Sequence, residues 1–170
     1  MKIEEVLQPI LENDSILLRP LRASDFENLY AVASDPLIWE QHPSKNRYQL
    51  EIFQALFEDS LASNGALVII DKSNNKIIGS SRYYEADFAK ESVVIGYTFL
   101  SRDYWGGYFN RLVKDLMINH AFQYFSRILF HVDSHNIRSQ KAMEKIGGKV
   151  TREFEKAVRR VLEYSISRGE

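Results

Sequence analysis

The sequence contains no cysteine, and only four prolines and eight glycines in 170 residues. Without cysteine there can be no disulfide, no thiolate-held zinc or iron–sulfur centre, and no cysteine nucleophile or acyl-cysteine intermediate. An intracellular home is compatible with that absence. Long hydrophobic runs are also missing: Ala66 to Ile70 and Ile128 to Phe130 fall far short of the ~20 residues that span a bilayer. The acidic start Glu4-Glu5 is unlike the basic flank of an export signal. A soluble, cytoplasmic protein with no membrane partner is expected. Neither sign of charge dominates, since 22 Lys+Arg face 23 Asp+Glu. That balance excludes the broad basic footprint that grips nucleic-acid phosphates. No repeat at a solenoid period and no Pro/Gly/Ser linker interrupts the chain. Residues 1–170 therefore read as a single domain, long enough to bury about two-thirds of its unfolded surface.

What is present is a succession of short apolar runs with two alternating periods. Ser15 to Leu21 reads as a strand ending at Arg19-Pro20. Ser24-Asp25-Phe26-Glu27 reads as a capping box before a helix carrying Phe26, Leu29, Tyr30 and Ala33 that stops at Asp35-Pro36. Leu50, Phe53, Phe57 and Leu61 form one stripe of a second helix, Tyr48 to Ser63, closed by Asn64-Gly65. Ala66 to Asp71 and Lys76 to Tyr84 flank the polar turn Lys72 to Asn75 as a hairpin, and Glu91 to Leu100 is a further extended run. After Gly106-Gly107, the stripe Phe109, Leu112, Val113, Leu116, Met117, Ala121 and Tyr124 predicts a long core helix. Arg127 to Asp133 alternates as a strand, Asn136 to Ile146 returns to helical spacing before Gly147-Gly148, and Lys149 to Phe154 with Val158 to Ser167 closes the chain as a hairpin. Hairpins mixed with a strand, helix, strand, helix unit predict an α/β fold of the α+β kind, a mixed sheet with helices on both faces.

The chemistry concentrates at two junctions. Leu100 to Asn110 runs from a strand into a helix through glycines, where free N–H groups and the positive end of the helix dipole suit phosphate oxygens. By itself this segment is equally compatible with a plain turn. The second junction, Val132 to Gly148, carries the pattern N-x-x-S-x-x-A-x-x-K-x-G directly after a strand. The two together resemble the GNAT superfamily of acetyl-CoA-dependent N-acetyltransferases, most closely its branch of ribosomal-protein N-terminal acetylases. The resemblance extends over Leu17 to Leu21 with Asp25, Ile78-Gly79, Ile95-Gly96-Tyr97, Tyr104-Trp105-Gly106, and the helix from Asn136 to Gly147.

The resemblance implies a mostly antiparallel sheet of about six to seven strands, in which one parallel pair splays apart to hold coenzyme A. Acetyl-CoA is the implied donor, and the implied acceptor is an amine on a protein N-terminus or a small molecule, attacked directly in a ternary complex. Trp105, Gly106, Gly107, Tyr108, Phe109 and Asn110 are implied around the pyrophosphate. Phe99 and Leu100 are implied to pair through their backbones with the pantetheine arm, which an unpaired strand edge can satisfy as it would a peptide. Asn136 is implied to reach the arm or its acetyl end, and Arg138 a phosphate. Ser139 takes the place of a serine that donates to the departing thiolate in the N-terminal acetylase branch.

The pattern also has gaps. Tyr108 and Asn110 stand where the family's loop has small residues, Val94 where many relatives carry a carboxylate, and Met143 where many carry the tyrosine acid. Water-relayed bases are available at Glu85, Asp87 or His131, and His131 faces opposite Phe130 and Val132, toward the cleft. Arg111, Lys114 and Lys141 read as solvated helix charges within reach of the cofactor's 3′-phosphate. Tyr83, Tyr84, Tyr97, Trp39 and Phe88 are candidates for the acceptor wall or for core. His131 and His135 lack the register of a zinc pair, so no metal is implied. The competing expectation is a coenzyme A-binding module without turnover. A homodimer is allowed, but nothing in the residues sets an oligomeric state.

Overall fold

The computed structural model describes residues 1–169. Its strands are β1 (Leu11–Glu12), β2 (Ile16–Pro20), β3 (Ala66–Asp71), β4 (Lys76–Asp87), β5 (Ser92–Leu100), β6 (Arg127–Asp133), β7 (Lys149–Lys156) and β8 (Arg159–Ser167). Its helices are α1 (Ile3–Leu7), α2 (Phe26–Ala33), α3 (Leu50–Ser63), α4 (Phe109–Ala121) and α5 (Ile137–Lys145). The strands form one sheet in the order β1-β2-β3-β4-β5-β6-β8-β7, antiparallel everywhere except between β5 and β6. All six residues of β3 are buried, because helices cover both faces at the middle of the sheet. Alternation sends Leu67 and Ile69 into a core with Val113, Met117 and Ile118 of α4, and Val68 and Ile70 into a second core with Leu29 of α2 and Phe53 and Phe57 of α3. The opposite edge strand β7 is almost wholly exposed and rich in Lys, Arg and Glu, which discourages edge-to-edge pairing.

The expected elements are present, and the eighth strand is the difference in count. Residues 3–12, which carry no usable period, form α1 and the two-residue β1; both are too short to leave a pattern. They are tied down by long-range bonds, His120 Nε2 with Val6 O at 2.8 Å and Gln8 Nε2 to Ala66 O at 3.1 Å. The expected capping box at Ser24 does not form. Ala23–Asp25 is a 3₁₀ turn, and the Asp25 side chain does not cap α2. Its carboxylate instead takes both guanidinium nitrogens of Arg19, at 2.9 and 2.8 Å, and the backbone N–H of Arg22 at 2.8 Å. Asn64 does close α3 as expected, with φ 54°.

One irregularity shapes the region that follows. Ser80 lies opposite Phe99 and Arg82 opposite Gly96, so two steps on β4 match three on β5. The extra residue is a bulge at Tyr97, whose φ of 54° is rare for a side-chain-bearing residue and typical of functional strain.

The Arg19–Asp25 pair is the main charge contact of the α2 side. Burial works against the Asp25 carboxylate, but Arg19 and the Arg22 N–H overcome it and hold its pKa below the ordinary value. Asp25→Ala should lower stability by about 2–3 kcal/mol at pH 7, read by thermal or urea denaturation, because it strands a mostly buried guanidinium. Since the folded pKa is the lower one, this contribution is present above about pH 4 and disappears as pH falls through the folded value. The wild type and variant should therefore converge in stability in acid.

Candidate active site

The parallel pair β5 and β6 is held by only three residue pairs, Ser92–Arg127, Val93–Ile128 and Val94–Leu129. Beyond them the β5–β6 pairing ends while each strand keeps its outer neighbour, β4 or β8, so the edges from Ile95 and from Phe130 onward diverge. The result is a V-shaped gap with unpaired backbone groups, closed at Val94 and Leu129 and open toward Leu100.

At the open end the chain turns through Trp105-Gly106-Gly107 into α4. Gly106 has φ +75°, and a Cβ at either Gly106 or Gly107 would meet no atom within 4 Å. No side chain caps the helix at Tyr108, which leaves its first-turn N–H groups pointing into open space. Tyr108 is exposed and stacks on Phe109 at 5.2 Å, so the bulky residue lies beside the turn rather than filling it. Asn110 lies within the first turn of α4.

The structure corrects one expectation about the strand. Ser101 N–H donates to Ile78 O on β4, and the Phe99 carbonyl abuts Gly79 so closely that a Cβ there would lie 2.0 Å from it. Phe99 therefore spends its backbone on β4, and by alternation Thr98 and Leu100 face the gap. The Leu100 carbonyl is itself taken by the Trp105 indole N–H at 3.0 Å, which leaves its N–H free. Helix α5 leans on the same turn. The Arg138 guanidinium lies 4.0 Å over the Trp105 ring, and Asn136 caps α5 by accepting from Ser139 N–H at 3.2 Å. The Asn136 carbonyl is thus committed and its amide NH₂ remains. The Ser139 hydroxyl has no partner among the described residues, and Met143 is buried in the core.

The second correction concerns Lys114. It is not a surface charge within reach of a 3′-phosphate but lies in the α4 core, 4% exposed, on the arc shared by Val113 and Met117. Arg111 is exposed as expected and pairs with Asp115 at 3.0 Å.

On the opposite face of the sheet, His131 Nε2 lies 3.0 Å from Glu163 Oε2, and Arg152 donates to the same oxygen at 3.0 Å. Burial opposes the Glu163 carboxylate, while Arg152 and His131 together bring its pKa below the usual value. A carboxylate only accepts, so the proton sits on Nε2 and the His131 Nδ1 is left as an acceptor, 3.4 Å from the Tyr84 hydroxyl. Burial, then Tyr97 and Glu85, push the Tyr84 pKa up, keeping that hydroxyl protonated. Glu85 is exposed, apart from this group. Glu163 was invisible in the sequence, since a lone acid in a closing hairpin carries no motif.

Tyr97, turned outward by the bulge, packs on Tyr84 at 5.2 Å and lies between two guanidiniums, Arg82 at 3.7 Å and Arg47 at 5.8 Å. Arg82 is buried, pairs with Asp59 at 3.1 Å, and keeps an unpartnered Nε–H. Arg47 reaches His42 at 3.3 Å and has no carboxylate partner among the described residues. Tyr84 and Tyr97 were candidates for the acceptor wall from the sequence, but Arg47 and Arg82 were not, because they reach Tyr97 from positions without a fixed spacing.

A family model described as an acetyltransferase (GNAT) domain matches residues 15–149. The chain belongs to that family. This N-acetyltransferase also shares its fold with several solved structures. A probable GNAT-family acetyltransferase from Chromobacterium violaceum ATCC 12472 is 20% identical with TM-score 0.84, over 95% of this chain and 87% of that one. Ribosomal-protein-S5-alanine acetyltransferase from Vibrio fischeri is 20% identical with TM-score 0.70, over 95% and 97%. Spermidine N-acetyltransferase from Vibrio cholerae, solved with CoA and spermine, is 16% identical with TM-score 0.71, over 91% and 96%. No curated protein matches the sequence. At these identities the likeness concerns the fold; the acceptor must be argued from this enzyme's own residues.

The electrostatics of the arginine wall can be read at His42. Burial, then the charges of Arg47 and Arg159, push its pKa down to about 4. A proton-detected titration should show a neutral ring down to about that pH, and Arg47→Leu should raise the midpoint. Because the unfolded chain takes up this proton near pH 6.5 and the folded one does not, stability should fall as pH drops from about 6.5 toward 4.

Proposed function

We propose that this enzyme transfers the acetyl group of acetyl-CoA to a primary amine by direct attack within a ternary complex. The observation that carries the reading is the gap between β5 and β6, opening beneath an uncapped helix entrance whose glycines leave room for a ligand. The fit to coenzyme A is chemical. Gly106, Gly107 and the first-turn N–H groups of α4 suit a pyrophosphate. The free N–H of Leu100 and the backbone of Thr98 suit the amides of the arm, as a sheet edge suits an added strand. Asn136 and Arg138 stand beside the same channel from α5. When bound, acetyl-CoA supplies the reactive thioester.

The remaining chemistry belongs to side chains. An amine must shed a proton to attack, and the His131 Nδ1, oriented through Nε2 by Glu163, is the base this face offers, directly or through the Tyr84 hydroxyl. Holding amine and thioester together contributes several kcal/mol by itself, so the valine at position 94 does not disable the site. The partner-free hydroxyl of Ser139 supports a role as a hydrogen-bond donor near the channel.

The acceptor class follows from the wall. Arg47 and Arg82 around Tyr97 repel polycations and favour an amine that also carries an anionic group, such as a carboxylate. This separates the enzyme from polyamine acetylation and is compatible with a peptide N-terminus bearing a nearby acid. The competing reading, coenzyme A binding without turnover, draws on Val94 and Met143.

Release of free thiol from acetyl-CoA across an amine panel tests the reading. Amines with a neighbouring carboxylate should exceed spermidine by at least about tenfold in kcat/KM, and Arg47→Ala should erase most of that preference. Absence of turnover with every amine, alongside intact coenzyme A binding, would favour the binding module. Gly107→Val tests the cofactor site separately. Nothing lies within 4 Å of that Cβ, so the fold should survive while calorimetry shows coenzyme A binding weakened at least about tenfold. Gly106 is less suitable, because its positive φ would add backbone strain to the comparison.

A further inference from the structure

Lys114 is the one buried lysine that the proposed chemistry leaves without a task. Its Nζ donates to Thr98 Oγ1 at 2.8 Å and lies 5.6 Å from the centre of the Phe130 ring. Thr98 Oγ1 is in turn 2.8 Å from Ser81 Oγ. No carboxylate lies within ion-pair distance of Nζ among the described residues. A buried ammonium normally has a counter-charge, and it has three N–H groups to satisfy. Here one hydroxyl serves one of them.

The position of those contacts matters more than their number. Thr98 is on β5 just past the bulge and faces the gap, whereas Phe130 is the first residue of β6 beyond the last paired residue, Leu129. The ammonium therefore spans the two diverging strands from the α4 side, level with Thr98 on β5 and Phe130 on β6. An arm that enters at Gly106-Gly107 and follows β5 from Leu100 passes Thr98 next, which brings its sulfur end beside Lys114. The tyrosine that relatives are expected to use as the acid is replaced by buried Met143, on the same face of the sheet as Lys114.

We propose that Lys114 is a catalytic residue that stabilises the departing thiolate of coenzyme A, an inference that rests on the transferase reading above. In this step the acceptor nitrogen forms a bond to the acetyl carbon and the carbon–sulfur bond breaks, its electron pair remaining on sulfur. The Lys114 ammonium keeps its proton and holds that sulfur as the thiolate, which takes a proton from solvent as coenzyme A departs. The proton shed by the acceptor nitrogen leaves through His131 or water. Burial pushes Lys114 down to about 8, which still leaves it an ammonium at pH 7. Ser139, on α5, donates without charge; a cation beside the sulfur lowers the pKa of the bound thiol further than a neutral donor does.

That difference provides the test. The thiol of coenzyme A bound to the wild-type enzyme is titrated by the ultraviolet absorbance of the thiolate, while calorimetry follows 3′,5′-ADP, which carries phosphates but no arm. The expected midpoint is at least one pH unit below that of free coenzyme A. K114M and K114Q should each bring it back to the free value or higher, with 3′,5′-ADP affinity unchanged, and should lower turnover about 100-fold. K114Q keeps a hydrogen bond to Thr98 without the charge, so it remains informative if K114M folds poorly. A wild-type midpoint equal to or above that of free coenzyme A overturns the proposal, as does a midpoint that stays low in both variants. Failure of the wild type to bind either ligand overturns the cofactor reading itself.

Discussion

Three residue pairs hold β5 and β6 together, and the function proposed for this molecule depends on the ladder stopping there. A parallel pair that continued would bury its own N–H and C=O groups and leave nothing for a ligand to satisfy. The break lies beside the bulge at Tyr97, which adds a residue to β5, while β6 runs on straight beside β8. A left-handed tyrosine in mid-strand is tolerated because its ring is packed between Arg82 and Tyr84. The same distortion thus accompanies the opening of the gap and turns an aromatic side chain outward.

The two faces of the gap carry different chemistry. Toward α2 and α3 lie His131 with its carboxylate Glu163, the Tyr84 hydroxyl, and an arginine-rich wall; toward α4 lies a single buried ammonium. In the reaction proposed above, a base on one side of the thioester and a cation on the other would let an amine lose its proton away from the atom that accumulates charge. Neither face depends on a carboxylate at position 94 or a tyrosine at position 143. Departures from the family's pattern at these positions therefore read as a different distribution of the same tasks.

Much of the fold was legible because apolar spacing survives in any context. Arg127 to Asp133 alternates, the α3 stripe repeats every three to four residues, and Asn64 and Gly147 end their helices in the left-handed conformation. The illegible parts have physical reasons. Residues 3–12 form elements too short for a period. Ser24 and Glu27 have the spacing of a capping box, but Asp25 takes that place, accepting from the Arg22 N–H while it binds the guanidinium of Arg19. Phe99 was expected to face the cofactor, and only the measured register shows its carbonyl turned toward Gly79.

Composition and spacing by themselves determined that this chain lacks thiol chemistry, that it builds a mixed sheet with helices on both faces, and that a glycine-led helix entrance follows the extended run ending at Leu100. Local sequence is sufficient for such features because periodicity and turn chemistry act over a few residues. Only the tertiary structure decided that Lys114 is core rather than surface, that Glu163 meets His131 across paired strands, and that Arg47 and Arg82 flank one tyrosine. Those are contacts between residues 15 to 50 positions apart in the chain, and their energies depend on burial and orientation, which no local pattern encodes.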